Sequence, residues 1–229
     1  MAFSHGTPNS IVTDGLVFCM DPANVLSWTG PNSSTVNDFM GTNTGTIYNN
    51  TSGSYGSNNS FVFDGTDDYI DLGVNKNLGQ DLTLSFWLKR GETANASDTI
   101  FGDQLNSFRQ FIAIDYSSTS YLYFKVSGNS RVEWNTLNTV NNTNWNNIVV
   151  MRDGTTSAKC FLNNVDQGAP TGASSTLPAE DCVFRYIGAG SHPYDREFNG
   201  DIGPIYIYNR ALSDAEVSQN YNALKSRFE

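Results

Sequence analysis

The chain carries many short segments in which apolar and polar residues alternate. In the segment from Leu82 to Lys89, the apolar residues Leu82, Leu84, Phe86 and Leu88 alternate with Thr83, Ser85, Trp87 and Lys89. Such a period of two is typical of a β-strand that has one face in the core. Similar runs predict strands at Gly15–Met20, Ser60–Phe63, Tyr69–Leu72, Phe111–Asp115, Tyr121–Val126, Asn146–Arg152, Lys159–Asn163, Val183–Ile187 and Asp201–Tyr208.

The connections between these runs carry residues that favour tight turns. Asp64-Gly65, Asp153-Gly154 and Asn163-Asn164 tolerate the positive φ that hairpin turns require. The segment from Ser27 to Ser60 has few apolar residues, and we interpret it as a long surface excursion with one or two short strands. Many short strands with turns of this kind predict an all-β fold, a two-sheet antiparallel jelly-roll sandwich.

One short helix is predicted near the C-terminus. Ser213 and Glu216 have the spacing of a capping box, and Val217, Tyr221 and Leu224 follow at i, i+4 and i+7. The apolar stripe of this helix is expected to pack on the sandwich.

The domain organisation follows from the length and from the even distribution of strands. A chain of 229 residues can form one large all-β domain, and we find no internal repeat and no break in composition. We therefore expect an N-terminal arm at residues 1–10 and a single domain at residues 11–229.

The charge of the chain excludes some classes of partner. The net charge is −10, and the 13 basic residues are scattered, whereas nucleic-acid binding needs clustered Lys and Arg. The segment from Met1 to Thr13 has no apolar run of signal length, and the sequence has no apolar stretch long enough to span a membrane. We expect neither nucleic-acid binding nor membrane insertion.

The three cysteines do not have the spacing of a metal or redox motif. Cys19 lies in an apolar run and is interpreted as a small buried residue. Cys160 and Cys182 lie in predicted strands, and they can form a disulfide only if those strands are neighbours.

Five motifs in order along the chain resemble the laminin-G-like, concanavalin-A-like superfamily of lectins and glucanases. Ser60–Ile70 resembles its "FDG…DDYV" motif, and Leu82–Lys89 resembles its strand that ends in an aromatic-Trp pair. Trp145–Gly154, Cys160–Val165 and Phe198–Ser213 resemble its later strands. The resemblance implies a jelly roll, but this architecture hosts lectins, enzymes, adhesion modules and virion proteins.

The two ends of the chain are similar to stand-alone members of the superfamily encoded by tailed bacteriophages, notably marine ones. The similarity rests on Ile11–Val17, Met20–Asn24 and Tyr221–Phe228. It implies a non-enzymatic structural or adhesion module on the virion surface, as a capsid decoration, fibre or tail-associated protein. Its partners would be other virion proteins or copies of itself, together with host glycans. The alternative is a secreted lectin-like carbohydrate-binding module.

The acidic residues do not match those of the enzymes with this fold. Retaining β-glucanases of the superfamily carry paired acids in an E-x-D-x-(x)-E arrangement, and two carboxyl groups about 5–5.5 Å apart are needed for that mechanism. Glu133 stands alone, and the adjacent Glu180 and Asp181 would point to opposite faces of a strand. His5 and His192 lack the context of a catalytic motif. We therefore expect no enzymatic activity.

Sugar binding on such folds uses an exposed aromatic ring beside polar groups. The candidates are Trp28 and Tyr194, which lie in predicted loops, and Trp134. The alternation around Trp134 is equally compatible with a place in the core.

A cluster of acidic residues at Asp64, Asp67 and Asp68 suggests calcium, which prefers oxygen ligands on flexible loops. The simpler interpretation, which we favour, is that Asp64-Gly65 only forms the hairpin turn.

Many relatives also carry an Asp pair just before the last strand as part of a structural cation site. Gly203 and Pro204 occupy these positions here, which removes two ligands. Asp21 and Asp201 remain as candidate ligands nearby, and we otherwise expect no cofactor.

Overall fold

The computed structural model describes residues 10–30, 32–41, 43–49, 60–91, 98–103, 111–114, 121–127, 130–135, 143–155, 157–170, 177–190 and 196–229. Within these residues it contains the strands β1 Leu16–Met20, β2 Thr35–Asn37, β3 Thr44–Tyr48, β4 Phe61–Asp64, β5 Tyr69–Gly79, β6 Leu82–Arg90, β7 Asp98–Gly102, β8 Phe111–Ile114, β9 Leu122–Ser127, β10 Ser130–Trp134, β11 Asn146–Asp153, β12 Ser157–Leu162, β13 Val165–Asp166, β14 Cys182–Ile187 and β15 Asn199–Tyr208. The helix α1 spans Asp214–Leu224, and a short 3-10 helix spans Lys225–Arg227.

The strands form two sheets, and the pairs between described strands are antiparallel. The seven-stranded sheet has the order β1-β15-β6-β11-β12-β13, and β4 also pairs with β15. The eight-stranded sheet has the order β10-β9-β8-β7-β14-β5-β3-β2. This arrangement confirms the predicted jelly-roll sandwich.

The last strand, β15, has a register shift in its middle. Asp201 pairs with Val62 of β4, whereas Tyr206 pairs with Cys19 of β1. The register against β6 shifts between Ile202 and Ile205. Pro204 lies inside this interval and has no backbone N–H to donate to a neighbouring strand, which accounts for the irregularity.

The core lies between the two sheets and is filled from both. Phe86 of β6 and Phe101 of β7 meet edge to face at a centroid distance of 5.3 Å. Phe18 of β1 and Phe184 of β14 make a similar contact at 5.6 Å. Each contact joins one sheet to the other, so burial of apolar surface holds the two sheets together.

The outer face of the seven-stranded sheet is also covered. Val217 of α1 is buried in a second apolar cluster with residues of β11 and β15. Trp87 stacks on Phe228 at 4.3 Å, and the Thr83 hydroxyl donates to the carbonyl of Arg210 at 2.8 Å. Alternation in β6 predicted only one buried face, but the C-terminal segment buries both.

The remaining element predictions agree with the structure in type and differ in extent. The helix begins after Ser213, and both hydrogen bonds of its capping box are present. Two short strands, β2 and β3, lie in the predicted excursion. Strand β5 extends to Gly79 rather than Leu72, and β7, β10 and β13 are additional to the prediction. Residues 1–9 of the predicted arm lie outside the described residues.

All three cysteines are buried and free. Cys160 lies on β12 of the seven-stranded sheet, and Cys182 lies on β14 of the eight-stranded sheet, so their strands are not neighbours. Among the described helices, none is long and apolar enough to cross a membrane.

Candidate functional site

Three tyrosines form a cluster on the outer face of the eight-stranded sheet. Ile70 and Leu72 of β5 point into the core, so Tyr69 points to the opposite face. Tyr48 of β3 stacks on Tyr69 at a centroid distance of 4.8 Å and an angle of 9°. Tyr186 of β14 meets Tyr69 edge to face at 5.8 Å. We call Tyr48, Tyr69 and Tyr186 the tyrosine cluster.

The members of the tyrosine cluster differ in exposure. Tyr69 and Tyr186 are 5% and 3% exposed, whereas Tyr48 is 40% exposed. The two buried rings support the exposed one, which is held nearly parallel to the ring of Tyr69. The arrangement therefore presents one rigid aromatic surface to solvent.

A charged pair borders the tyrosine cluster. Arg185 of β14 binds Asp71 of β5 through two hydrogen bonds, from Nε to Oδ1 at 2.6 Å and from an NH2 group to Oδ2 at 2.8 Å. Its guanidinium also lies 5.3 Å from the ring centroid of Tyr186. Gly73 has a φ of 73°, in the left-handed region, and its backbone N–H donates to Asp71 Oδ1 at 2.7 Å. Asp71 is thus held in place by its neighbours.

The local electrostatics keep these groups in fixed protonation states. The bidentate hydrogen bond to Asp71 raises the pKa of Arg185. Burial raises the pKa of Tyr69 and of Tyr186, with a smaller contribution from Asp71. At neutral pH the two hydroxyls therefore stay protonated and can donate hydrogen bonds.

A cavity of about 350 Å³ lies at an edge of the sandwich, lined by residues that include Val132 of β10, Lys159 of β12 and Leu177. Its described lining residues contain no aromatic ring, and Lys159 is paired with Asp214 at 3.1 Å. The cavity is large enough for a small ligand, but its described lining offers no aromatic surface for stacking a sugar.

The structure does not provide the aromatic platform expected from the tryptophans. Trp28 is 3% exposed and packs against Phe61 at 5.1 Å. Trp134 is 1% exposed, and its Nε1 donates to the carbonyl of Gly168 at 3.2 Å. The expectation of an exposed ring is therefore wrong for Trp28, and the core alternative holds for Trp134. Tyr194 lies outside the described residues.

The two predicted cation ligands each lie beside a basic side chain. Asp21 accepts from Arg227 at 2.7 Å and from the backbone N–H of Ala23 at 2.9 Å. Asp201 accepts from the Ser60 hydroxyl at 2.6 Å and lies 3.8 Å from the Lys89 ammonium. Each carboxylate is already neutralised, which disfavours a cation at either position.

The sequence pattern predicts only part of the tyrosine cluster. The alternation in β5 assigns Tyr69 and Asp71 to one face, opposite the apolar Ile70 and Leu72. Nothing in the sequence indicates that Tyr48 lies against them. This contact depends on the pairing of β3 with β5.

Several solved structures share the fold at low sequence identity. Domain 4 of an extracellular GH43 arabinanase from Geobacillus stearothermophilus, solved in complex with arabinotriose, matches with a TM-score of 0.59 and 17% identity over 91% of this chain and 98% of that one. Trypanosoma rangeli sialidase in complex with sialic acid matches with a TM-score of 0.63 and 13% identity, over 95% of this chain and 34% of the sialidase. The binding domain of botulinum neurotoxin serotype D matches with a TM-score of 0.60 and 12% identity, over 91% of this chain and 51% of that chain.

The family comparison covers more than half of the chain. A search of curated proteins found no match. The family model described as "Concanavalin A-like lectin/glucanases superfamily" matches residues 64–218. This segment runs from the end of β4 into α1 and includes most strands of both sheets. The chain therefore belongs to the concanavalin A-like lectin/glucanase superfamily.

Proposed function

We propose that this protein binds carbohydrate through the tyrosine cluster on the outer face of the eight-stranded sheet. The observation that carries the proposal is the exposed ring of Tyr48, held flat against Tyr69 at 4.8 Å. A pyranose or furanose ring has an apolar face that stacks on an aromatic surface and a polar rim that hydrogen-bonds beside it. The Arg185–Asp71 pair lies at the edge of the aromatic surface and supplies polar neighbours.

The comparison with the arabinanase domain supports this proposal. That domain corresponds to this chain over nearly its whole length and was solved with an arabinose trisaccharide. A neutral oligosaccharide also suits a protein with a net charge of −10, because an acidic glycan would be repelled.

The proposed role is binding without catalysis. Both carboxylate oxygens of Asp71 already accept hydrogen bonds, from Arg185 and Gly73. Glu133 lies on β10, and Asp181 directly precedes β14, which is four strands away in the sheet. Four strand spacings correspond to roughly 19 Å, which exceeds the carboxyl separation of retaining and of inverting glycosidases. An increase in reducing ends on incubation with polysaccharides would overturn this part of the proposal.

A glycan array, followed by titration calorimetry on the best ligand, tests the binding site. We expect Tyr48→Ala to weaken binding by about tenfold, since an aromatic contact of this kind contributes about 1 kcal/mol or more. Tyr48→Phe should bind nearly as well as the wild type because it keeps the ring.

The matched control is Val165→Ala, which removes an exposed apolar side chain on β13, away from the tyrosine cluster. It should leave binding unchanged. Unaltered binding by Tyr48→Ala, or the absence of any bound glycan on the array, would refute the proposed site.

We also propose a second role, on the virion surface, which rests on the resemblance to phage-encoded proteins that we infer from the sequence of the chain ends. In that role the protein would decorate the capsid or tail and contact virion proteins, other copies of itself and host glycans. Mass spectrometry of purified particles tests this prediction. Detection in the cytosol of infected cells but never in particles would contradict it.

A further inference from the structure

The turn between β4 and β5 brings three carboxylates together. Asp64 ends β4, and Asp67 and Asp68 immediately precede β5. One carboxylate oxygen from each residue lies within 4.8 Å of the other two. Oxygens that share one calcium ion at 2.3–2.6 Å lie at separations of this order.

Formation of the turn explains the position of the Asp64 carboxylate but not the positions of the Asp67 and Asp68 carboxylates. Asp64 Oδ1 accepts from the backbone N–H of Thr66 at 2.7 Å and of Asp67 at 3.4 Å, as the sequence predicts for an Asp-Gly turn. The side chain of Asn49 donates to the carbonyl of Asp67 at 3.1 Å. These bonds shape the turn without using the carboxylate of Asp67.

The environment of Asp68 indicates that a ligand binds at this turn. Its side chain is buried, with 2% of the residue exposed, and its Oδ2 accepts from the backbone N–H of Asp64 at 3.0 Å. Its Oδ1 is also buried, and no described residue forms a hydrogen bond with it. A buried carboxylate oxygen without a partner is unfavourable.

The three carboxylates also lack a counter-charge. Among the described residues, no basic side chain pairs with Asp64, Asp67 or Asp68. The three carboxylate groups lie close enough for their like charges to repel one another. A cation between the three groups would relieve the repulsion and supply the missing partner of Oδ1.

We propose that Asp64, Asp67 and Asp68 bind a calcium ion. The donors are all oxygens on a surface turn, a combination that suits calcium and excludes metals that prefer nitrogen or sulfur ligands. Asp64 and Asp67 are exposed, so water can complete the coordination shell. The site adjoins the tyrosine cluster, because Tyr69 follows Asp68 directly and Asn49, which follows Tyr48, binds the turn.

The test is thermal unfolding and titration calorimetry of the full chain after removal of metal with a chelator. Addition of CaCl₂ at about ten times the dissociation constant should raise the melting temperature of the wild type by roughly 3–5 °C. Calorimetry should show one calcium ion for each chain, and magnesium should bind more weakly.

The variant Asp68→Asn distinguishes loss of calcium binding from a general loss of stability. The amide removes a repelled negative charge, so the metal-free variant should melt at or above the temperature of the metal-free wild type and no longer respond to calcium. Asp67→Asn should weaken calcium binding by about tenfold or more. Asp21→Asn is the control, because Asp21 is paired with Arg227, and it should keep the calcium response of the wild type.

Two results would overturn the proposal. One is a wild type that shows no calcium-dependent shift, and the other is an unchanged shift in Asp68→Asn. Neither measurement uses a glycan, so the calcium site stands or fails separately from the proposed sugar site.

Discussion

Arg152 is fully buried, and its hydrogen-bond partners are backbone carbonyls and a thiol rather than carboxylates. Its guanidinium donates to the carbonyls of Gly154, Pro178 and Glu180 at 2.5–2.8 Å and lies 3.2 Å from Cys182 Sγ. Arg152 belongs to β11 of the seven-stranded sheet, whereas Cys182 begins β14 of the other. One side chain therefore ties the two sheets together at this point.

Arg152→Met should lower the free energy of unfolding by about 3 kcal/mol or more. The substitution keeps an apolar side chain of similar length. It removes the guanidinium that donates hydrogen bonds to three carbonyls in a buried environment. Urea unfolding measures the change. The control is Lys159→Ala, which breaks an exposed pair with Asp214 and should alter stability by no more than about 0.5 kcal/mol. Equal effects of the two substitutions would contradict this account.

At the scale of single elements, helix α1 depends on interactions at its first turn. Glu216 accepts from the backbone N–H of Ser213 at 2.8 Å and from Arg210 at 2.6 Å and 3.0 Å. The hydrogen bonds from Arg210 are the largest cause that lowers the pKa of Glu216, to about 2. The capping box and the ion pair thus fix where the helix begins and how it lies on β15.

The contribution of Glu216 should depend on pH. Its pKa in the folded chain is about 2, below the ordinary 4.5, so the stabilisation is fully present above about pH 5 and is lost as the pH falls towards 2. Glu216→Gln should therefore cost about 1–2 kcal/mol at pH 7, and this difference from the wild type should fall by more than half near pH 3. Urea unfolding at a series of pH values measures it. A difference that stays constant with pH would argue against the ion pair as its source.

Sequence alone anticipated most of the elements, and the exceptions share a physical cause. Alternation identified β6 and β9 because one face of each lies in the core. Strand β7 has two polar residues followed by the adjacent apolar residues Ile100 and Phe101, so its sequence shows no alternation. The edge strand β13 has two residues, which is too short to show a period.

At the scale of the whole molecule, the two sheets share one apolar core. That core includes Phe86 and Ile148 from one sheet and Ile70, Phe101 and Phe184 from the other. Neither sheet can keep its inner face buried without its partner, so the sheets are expected to lose structure together.

Unfolding in urea should therefore appear as one transition. Far-ultraviolet circular dichroism follows the strands of both sheets, while tryptophan fluorescence follows Trp28 and Trp134 in the core and Trp87 beneath the C-terminal segment. The two signals should give the same midpoint within error. Two well-separated midpoints would show that the sheets or the C-terminal layer unfold independently.

The candidate site was harder to predict than the fold. The tyrosine cluster combines β3, β5 and β14, and its members Tyr48 and Tyr186 are far apart in the chain. Trp28 and Trp134 drew attention because tryptophan often stacks on sugars, yet both indoles are core residues here. Exposure of a side chain depends on what packs over it, which short-range patterns do not record.

The sequence by itself determined the all-β class, most strand positions and the C-terminal helix, because alternation, turn residues and capping are local properties. Tertiary structure decided which faces are buried, which rings remain exposed and which charges meet. Asp21 and Asp201 are paired with basic residues, whereas Asp64, Asp67 and Asp68 converge with no basic partner among the residues that the structure describes. These differences arise from strand pairing between distant segments, which brings together residues that the order of the chain keeps apart.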